Sequence, residues 1–493
     1  GQPQAITGPE DGTPGADGIV PFTSRAALVA AVGSGSLDSL PNGSVLYFNQ
    51  GGFVKAVYKS TGATTLPGLP GWLPAGAPST IHWGAGLGTT SATNDTAAVQ
   101  AMFNYLTPLG SVPRMEGRIH LHSSVTINGI PRMLGETWAH HIICVDGNYP
   151  AFIVNASGTM NGMDIRGIRA SCQVASANTA NAFLRFSGPA TSLMQRGRIE
   201  GNNINNFYSG FVYDMLPRTT DHGLEGGVNW VDFSDNHYSN VMHAHYVLRG
   251  SGTGNTYMDD KPAIRPTGKY YRHEPTVPNT VMGDLIFSGI HGNGVGGDCA
   301  FISVAAGTVY GAQISINGNQ LDANMVAPVE LPTDFTFRDI NALGNNWGGN
   351  TVLGGAIAPI RYSNITGRGY SKWRLGNDKA STATGAVTIP LFEVEMTGSG
   401  VLVDVEVFSE GQLGVGYVSA EYWVTYDAGG SVVVERSKQR SSTAAGALDI
   451  SFISVSAGVA RVRAVFTQAS AGTTTIFGNL EARGGAAFKA KRL

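Results

Sequence analysis

Charge is what this chain has least of. Only 14% of its 493 residues are charged, where about a quarter is usual. The 32 Lys and Arg against 35 Asp and Glu leave a formal net charge of −3. The basic excess of a nucleic-acid binder is therefore missing, and no nucleic-acid partner is expected. Cysteine is scarce: Cys144, Cys172 and Cys299 are far apart, odd in number and form no CxxC. That pattern argues against a disulfide framework or a structural zinc site, and the three are expected as small buried residues. No apolar run reaches the ~18 residues of a membrane span, so no membrane insertion is expected. The opening Gly1-Gln2-Pro3-Gln4 lacks the basic-then-apolar pattern of a signal peptide. No nucleophile elbow, phosphate loop or zinc-protease motif appears, and neither a cofactor nor a metal is expected. Lysine is absent between Lys59 and Lys261, while Arg166, Arg169, Arg185, Arg196 and Arg198 fall in that interval. Arginine suits acidic glycans, although the codon bias of a GC-rich genome accounts for the same pattern.

What the chain does have is glycine, 67 residues of it, with 42% hydrophobic residues. Abundant glycine serves turns that need positive φ, so the composition suits a β-rich fold and not a disordered chain. The length suggests two to four domains.

Residues 1–78 read as a separate leading region. Gly12 to Gly18 is linker-like, Ser24 to Val32 reads as a short helix capped by Thr23 or Ser24, and Ser44 to Phe48 and Gly52 to Tyr58 read as strands. The stretch Leu66-Pro67-Gly68-Leu69-Pro70-Gly71 then breaks the pattern. Further on, Asn94 or Asp95 is a natural helix cap, and Val99, Met102, Phe103 and Leu106 fall on one helical face. A short amphipathic helix ahead of a series of strands can cover the open end of a β-solenoid.

The passage Ile81-His82-Trp83-Gly84-Ala85-Gly86, with Asn94-Asp95-Thr96 and the helix after it, resembles the opening motif of the pectate-lyase-like superfamily. There a strand ending in Phe-Gly-Ala leads through an acidic turn to a capping helix, and many phage tailspikes share it. This chain has Trp83 at the aromatic position and lacks the Gly-Asp-Gly turn. The resemblance implies a right-handed parallel β-helix and leaves the activity open.

An internal repeat supports the solenoid independently. Gly201-Asn202-Asn203-Ile204, Asp235-Asn236-His237-Tyr238, Gly318-Asn319-Gln320-Leu321 and Gly344-Asn345-Asn346-Trp347 each follow a short alternating strand, and Gly289-Ile290-His291 is a weaker copy. Stacked coils would bring the equivalent asparagines together at their turns. After about residue 376, alternating segments such as Leu391 to Met396, Val401 to Phe408 and Glu421 to Tyr426 read as an antiparallel sandwich or jelly roll. The expected fold is thus all-β: an attachment region over 1–78, a right-handed parallel β-helix over 79–375 and a C-terminal antiparallel β-sandwich over 376–493, for trimerisation or carbohydrate binding.

Chemistry is expected in the excursion from Tyr257 to Pro278, which shows little apolar periodicity and reads as a long loop. Its carboxylates Asp259, Asp260 and Glu274 are candidate catalytic groups, and Lys269, Tyr270, Tyr271, Arg272 and His273 are candidate substrate-binding groups. Glycosidic hydrolysis needs two carboxyls roughly 5–10 Å apart, whereas Lys, His or Tyr can act as the base of a lyase. Asp221 and Glu225 form a second candidate pair, and Gly296-Gly297-Asp298 reads as a turn. His243 and His245 share a strand face and could present two metal ligands, but no third ligand lies near them in sequence, so they read as ordinary histidines.

The layout resembles phage tailspikes as a whole. That resemblance implies a homotrimer on the virion tail, outside the cell. Its N-terminal region would bind other tail proteins, and it would bind, and often cleave, bacterial surface polysaccharide. Whether this chain is an enzyme stays open, with a depolymerase (hydrolase or lyase) as the leading expectation. The alternatives are a non-enzymatic receptor-binding spike and a secreted β-helix polysaccharide lyase or epimerase.

Overall fold

The computed structural model describes residues 22–62, 66–86, 90–135, 141–173, 179–189, 192–215, 228–249, 253–254, 256–264, 268–274, 280–282, 285–294 and 300–305. Beyond these it describes 308–317, 320–322, 329–330, 336–343, 364–383, 387–397, 401–411, 414–426, 432–441, 447–456, 459–468 and 472–492. Two compact units emerge, one of residues 1–214 with 231–242, the other of 215–230 with 243–493.

In the first unit, helix Arg25–Gly33 starts where Ser24 Oγ accepts the Ala27 N–H at 3.0 Å. Strands Val45–Gln50 and Phe53–Lys59 form a hairpin. Its two turn residues, Gly51 and Gly52, have φ of 59° and 90°, which only glycine supplies cheaply. Trp72–Ala75 adds a third antiparallel strand. Where the resembled motif has a strand, this chain makes a helical turn, Thr80–Trp83, ended by Gly84 in the left-handed region. The buried ring of His82 closes that turn: Nδ1 accepts the Ser79 N–H at 3.2 Å and Nε2 lies 3.1 Å from Ala56 O. Those partners define the neutral tautomer with its proton on Nε2.

Helix Thr96–Leu106 buries Val99, Met102, Phe103 and Leu106, as the periodicity predicts. Its first residues do the work of an extra strand. Asp95 Oδ2 accepts the His120 N–H at 2.9 Å, Thr96 Oγ1 accepts the His122 N–H at 3.0 Å, and the Gln100 amide both accepts from and donates to the Thr126 backbone at 2.7 Å. Asp95 stands at the cap position but makes no side-chain cap bond within the helix. Asn94 Oδ1 accepts the Thr96 N–H instead.

Behind the helix the strands stack in parallel. Asp164 lies beside Arg132 and Arg198, and Arg169 beside Asn203, which lies beside His237. A second parallel stack contains Val125–Ile127, Phe152–Asn155 and Ala182–Gly188. A file of rings runs through the core from the helix: Phe103 to Phe152 (5.8 Å), Phe152 to Phe183 (5.8 Å), Phe183 to Phe211 (5.5 Å) and Phe211 to Phe233 (6.2 Å). The repeat asparagines meet as expected. Asn202 Nδ2 donates to Asn236 Oδ1 at 2.8 Å across 34 residues, both side chains being fully buried. Asn202 also accepts the Ile168 N–H, and Asn236 donates to Ile199 O. Each amide thus satisfies turn backbone that the coil itself leaves unpaired. Asn319 and Asn345 lie outside the described residues. Cys144 and Cys172 are buried, with Asn181 Nδ2 donating to Cys172 Sγ at 3.4 Å, and Cys299 lies outside the described residues.

The second unit repeats the parallel arrangement. Ala244–Leu248, Lys269–His273, Ala300–Val304 and Val329–Glu330 stack on one another. Thr256–Ile264, Leu285–Ser288, Thr308–Asn317 and Thr336–Leu343 do the same. Pairing turns antiparallel with Asn364–Ala383, which runs beside Gly472–Arg492. The other edge of Gly472–Arg492 takes Val387–Thr397 and Val401–Gly411. Val401–Gly411 continues to Gly414–Tyr426 and Val432–Ser441, and Val387–Thr397 to Val459–Gln468 and Ala447–Ser456. The described chain is all-β, with the stacked parallel coils of a parallel β-helix. Among the described residues no helix is long and apolar enough to cross a membrane.

One expectation is corrected here. The excursion from Tyr257 to Pro278 is not one long loop, because strands Thr256–Ile264 and Lys269–His273 occupy most of its described part. Its apolar pattern is hidden because the buried positions carry Asp260, Lys269, Tyr270, Tyr271 and His273.

Candidate functional site

The parallel register of the second unit sets residues of three coils side by side: Tyr246, Tyr271 and Ile302; Val247, Arg272 and Ser303; Leu248, His273 and Val304. Glu274 follows, its N–H donating to Leu248 O at 2.8 Å, so the ladder continues past the last strand residue. Its carboxylate collects three basic side chains. It accepts from Arg272 Nε at 2.6 Å and His243 Nε2 at 2.5 Å, and Arg249 Nε lies 3.6 Å away. Arg272 reaches the next coil as well, donating from Nη1 to Ser303 Oγ at 2.9 Å. The four side chains of this cluster keep 20–28% of their surface exposed.

Burial pushes the Glu274 carboxyl upward, but the hydrogen bonds and charges of His243 and Arg272 outweigh it and hold the group down at about 2. Glu274 is therefore ionised throughout the physiological range. It can accept a proton or attack a carbon, but it has no proton to give to a leaving group. The guanidinium of Arg272, fixed at two points, has a settled orientation for sugar hydroxyls or acidic groups.

Asp260 has a different setting. It is 1% exposed and accepts from Tyr246 Oη at 2.6 Å and Tyr270 Oη at 2.8 Å. The Tyr270 ring stacks on Phe301 (5.0 Å, 8°) and meets His245 edge-on at 5.7 Å. Tyr271 packs against Phe287 at 5.6 Å. Both tyrosines, expected as sugar platforms, are inside the coil at 0% and 2% exposure, and Lys269 and His273 are buried with them. Of the expected residues the structure thus gathers Glu274 and Arg272 at a partly exposed position and encloses Asp260 with Tyr270. The side chain of Asp259 and all of Asp221 and Glu225 lie outside the described residues.

Sequence reasoning missed His243, Arg249, Tyr246 and Ser303 as members of these clusters. His243 carries a signal, the alternation with His245, but with no third ligand near it in sequence it reads as an ordinary histidine. Among the described residues no group of three His, Cys, Asp or Glu is placed to hold a metal ion. Arg249 and Ser303 had no local signal, because only the register between coils brings them to Glu274 and Arg272.

No protein-family profile matches the chain, and no curated protein does. Solved structures do. The tailspike protein of the Acinetobacter phage vB_ApiP_P1 is 12% identical over 96% of this chain and 99% of that one, with a TM-score of 0.40. A tailspike protein of the Acinetobacter baumannii bacteriophage Fri1, described as a capsular polysaccharide depolymerase, is 12% identical over 96% of this chain and 100% of that one, with a TM-score of 0.30. A mutant tailspike protein of the E. coli bacteriophage HK620, in complex with a pentasaccharide, is 8% identical over 87% of this chain and 97% of that one, with a TM-score of 0.21. These three solved structures, to which the chain is similar at 8–12% identity, are phage tailspike proteins.

Proposed function

We propose that the chain is a phage tailspike that binds and depolymerises a bacterial surface polysaccharide from the virion tail. In this reading residues 1–78 attach to other tail proteins, 79–375 form a right-handed parallel β-helix, 376–493 form an antiparallel β-sandwich, and three copies make the working spike. The observation that carries it is Glu274, ionised and partly exposed among Arg272, His243 and Arg249 on a rigid stack of coils. Glu274 acts as base or nucleophile, and the arginines hold the sugar. A proton donor is then required, for which Asp221, Glu225 and Asp259 are the candidates. A separation of about 5–5.5 Å from Glu274 would mean retention and about 6.5–9.5 Å inversion.

The test is a cleavage assay on purified surface polysaccharides from a panel of hosts, following new reducing ends and ultraviolet absorbance together. Reducing ends alone mean hydrolysis, and both signals mean elimination next to a uronate. Glu274→Gln lowers the cleavage rate at least about 100-fold in this reading, with binding retained. A second reading, a receptor-binding spike without cleavage, is favoured by the enclosure of Asp260, which removes one expected carboxylate from the surface. Binding with neither signal would establish that reading.

A further inference from the structure

Strand Gly414–Tyr426 treats its two aromatic neighbours differently. Tyr422 is 1% exposed, and the Arg436 guanidinium lies over its ring at 5.5 Å. Trp423, the next residue, is 47% exposed. The antiparallel register puts Glu435 directly across from Trp423 and Val433 across from Thr425. Directly paired residues share a face of the sheet, as do residues two apart on one strand. One exposed face therefore carries an indole, a carboxylate across from it, a threonine and an apolar Val433, all four exposed.

We infer that this face is a second carbohydrate-contact site, separate from the Glu274 cluster, that takes an uncharged sugar ring. The inference rests on the reading of the chain as a polysaccharide binder. Glu435 decides the occupant. An apolar protein surface laid over Trp423 would strip water from that carboxylate and leave it unpaired, which is costly. A sugar ring stacks its C–H face on the indole while its hydroxyls donate to Glu435 and Thr425, so the apolar and polar groups are satisfied together. An acidic sugar would be repelled by the same carboxylate, which restricts the site to neutral or amino sugars.

The experiment uses the full chain and the purified host polysaccharide to which it binds. Affinity of the wild type, Trp423→Ala, Trp423→Tyr and Glu435→Gln is measured by calorimetry, with the assembled mass of each by light scattering. The expected result is an affinity loss of about tenfold for Trp423→Ala. Trp423→Tyr should restore most of it, Glu435→Gln should lose less, and the mass should be unchanged throughout. Unchanged affinity in Trp423→Ala overturns the inference while the wild type still binds. A fall in assembled mass overturns it in favour of a contact between copies of this chain. Failure of the wild type to bind any host polysaccharide overturns the underlying reading, and the inference with it.

Discussion

Two sets of parallel coils in this molecule solve the same packing problem with different chemistry. In the first unit a file of phenylalanines runs from Phe103 to Phe233, and two of its buried polar residues, Asn202 and Asn236, spend hydrogen bonds on turn backbone and on each other. In the second, Tyr270 lies flat on Phe301 where the phenylalanine file meets edge-on, and a carboxylate, Asp260, sits buried under two phenol hydroxyls. The asparagines serve the regularity of the coil. Asp260 accepts from the side chains of Tyr246 and Tyr270 and so fixes their positions. The first unit buries carboxylates as well, but Asp95 accepts the His120 backbone N–H and Glu116 pairs with Lys55, whereas Asp260 accepts from two tyrosine hydroxyls. Its place between the strand that supplies Tyr246 and the strand that leads into Glu274 points to precise side-chain placement in this region.

The comparison breaks first at its apolar member. Phe183 is fully buried and touches the rings of Phe152, Phe207 and Phe211. Phe183→Ala should cost roughly 3–5 kcal/mol in denaturant unfolding. In the second unit Asp260→Leu removes the acceptor of two buried hydroxyls, at about 1–3 kcal/mol for each one left unsatisfied. Asp260→Asn keeps one carbonyl acceptor and should recover part of that loss. If Asp260→Leu is as stable as wild type, the hydroxyl bonds do not hold this core together, and the contrast between the units is only one of composition.

The two units also differ in how acid reaches them. His82 in the first unit is driven from 6.5 down to about 4, chiefly by burial. The unfolded chain then binds the proton before the folded one does, so stability falls as pH drops from 6.5 to about 4 and this contribution is level below that. Glu274 in the second unit is lowered from 4.5 to about 2. Its contribution is intact above 4.5 and is lost as pH falls toward 2. His82→Gln should flatten the upper window of a stability–pH curve, and Glu274→Gln the lower one. A curve whose upper window is unmoved by His82→Gln would show that another group titrates there.

How far these features were legible before the structure depends on how locally each is written. The capping helix declares itself through four apolar residues on one face, and the asparagine turns through a repeated tetrapeptide. The strand Lys269–His273 is not legible in that way. Lys269, Tyr270, Tyr271 and His273 are all polar or amphipathic and all buried, so neither face shows the apolar alternation that marks a strand. The Glu274 cluster is harder still. His243 is 31 residues from Glu274 and Arg272 is 31 from Ser303, and only the coil lengths, which vary along the chain, decide that they meet.

The smallest expected effect tests whether the cap is a hydrogen-bonding device or only an apolar lid. Gln100 replaces a missing neighbouring strand for Thr126, accepting its N–H and donating to its carbonyl at 2.7 Å each. The site is partly open, so water can take over both groups when the amide is removed, and Gln100→Ala should cost about 1 kcal/mol. Hydrogen exchange separates the two roles better than global stability does. If the amide is the cap, the Thr126 N–H loses protection in Gln100→Ala while the neighbouring Ile127 N–H keeps its own. If Val99, Met102, Phe103 and Leu106 alone seal the end, Thr126 stays as protected as in the wild type, and the side-chain pairing is incidental to a lid held by its apolar face.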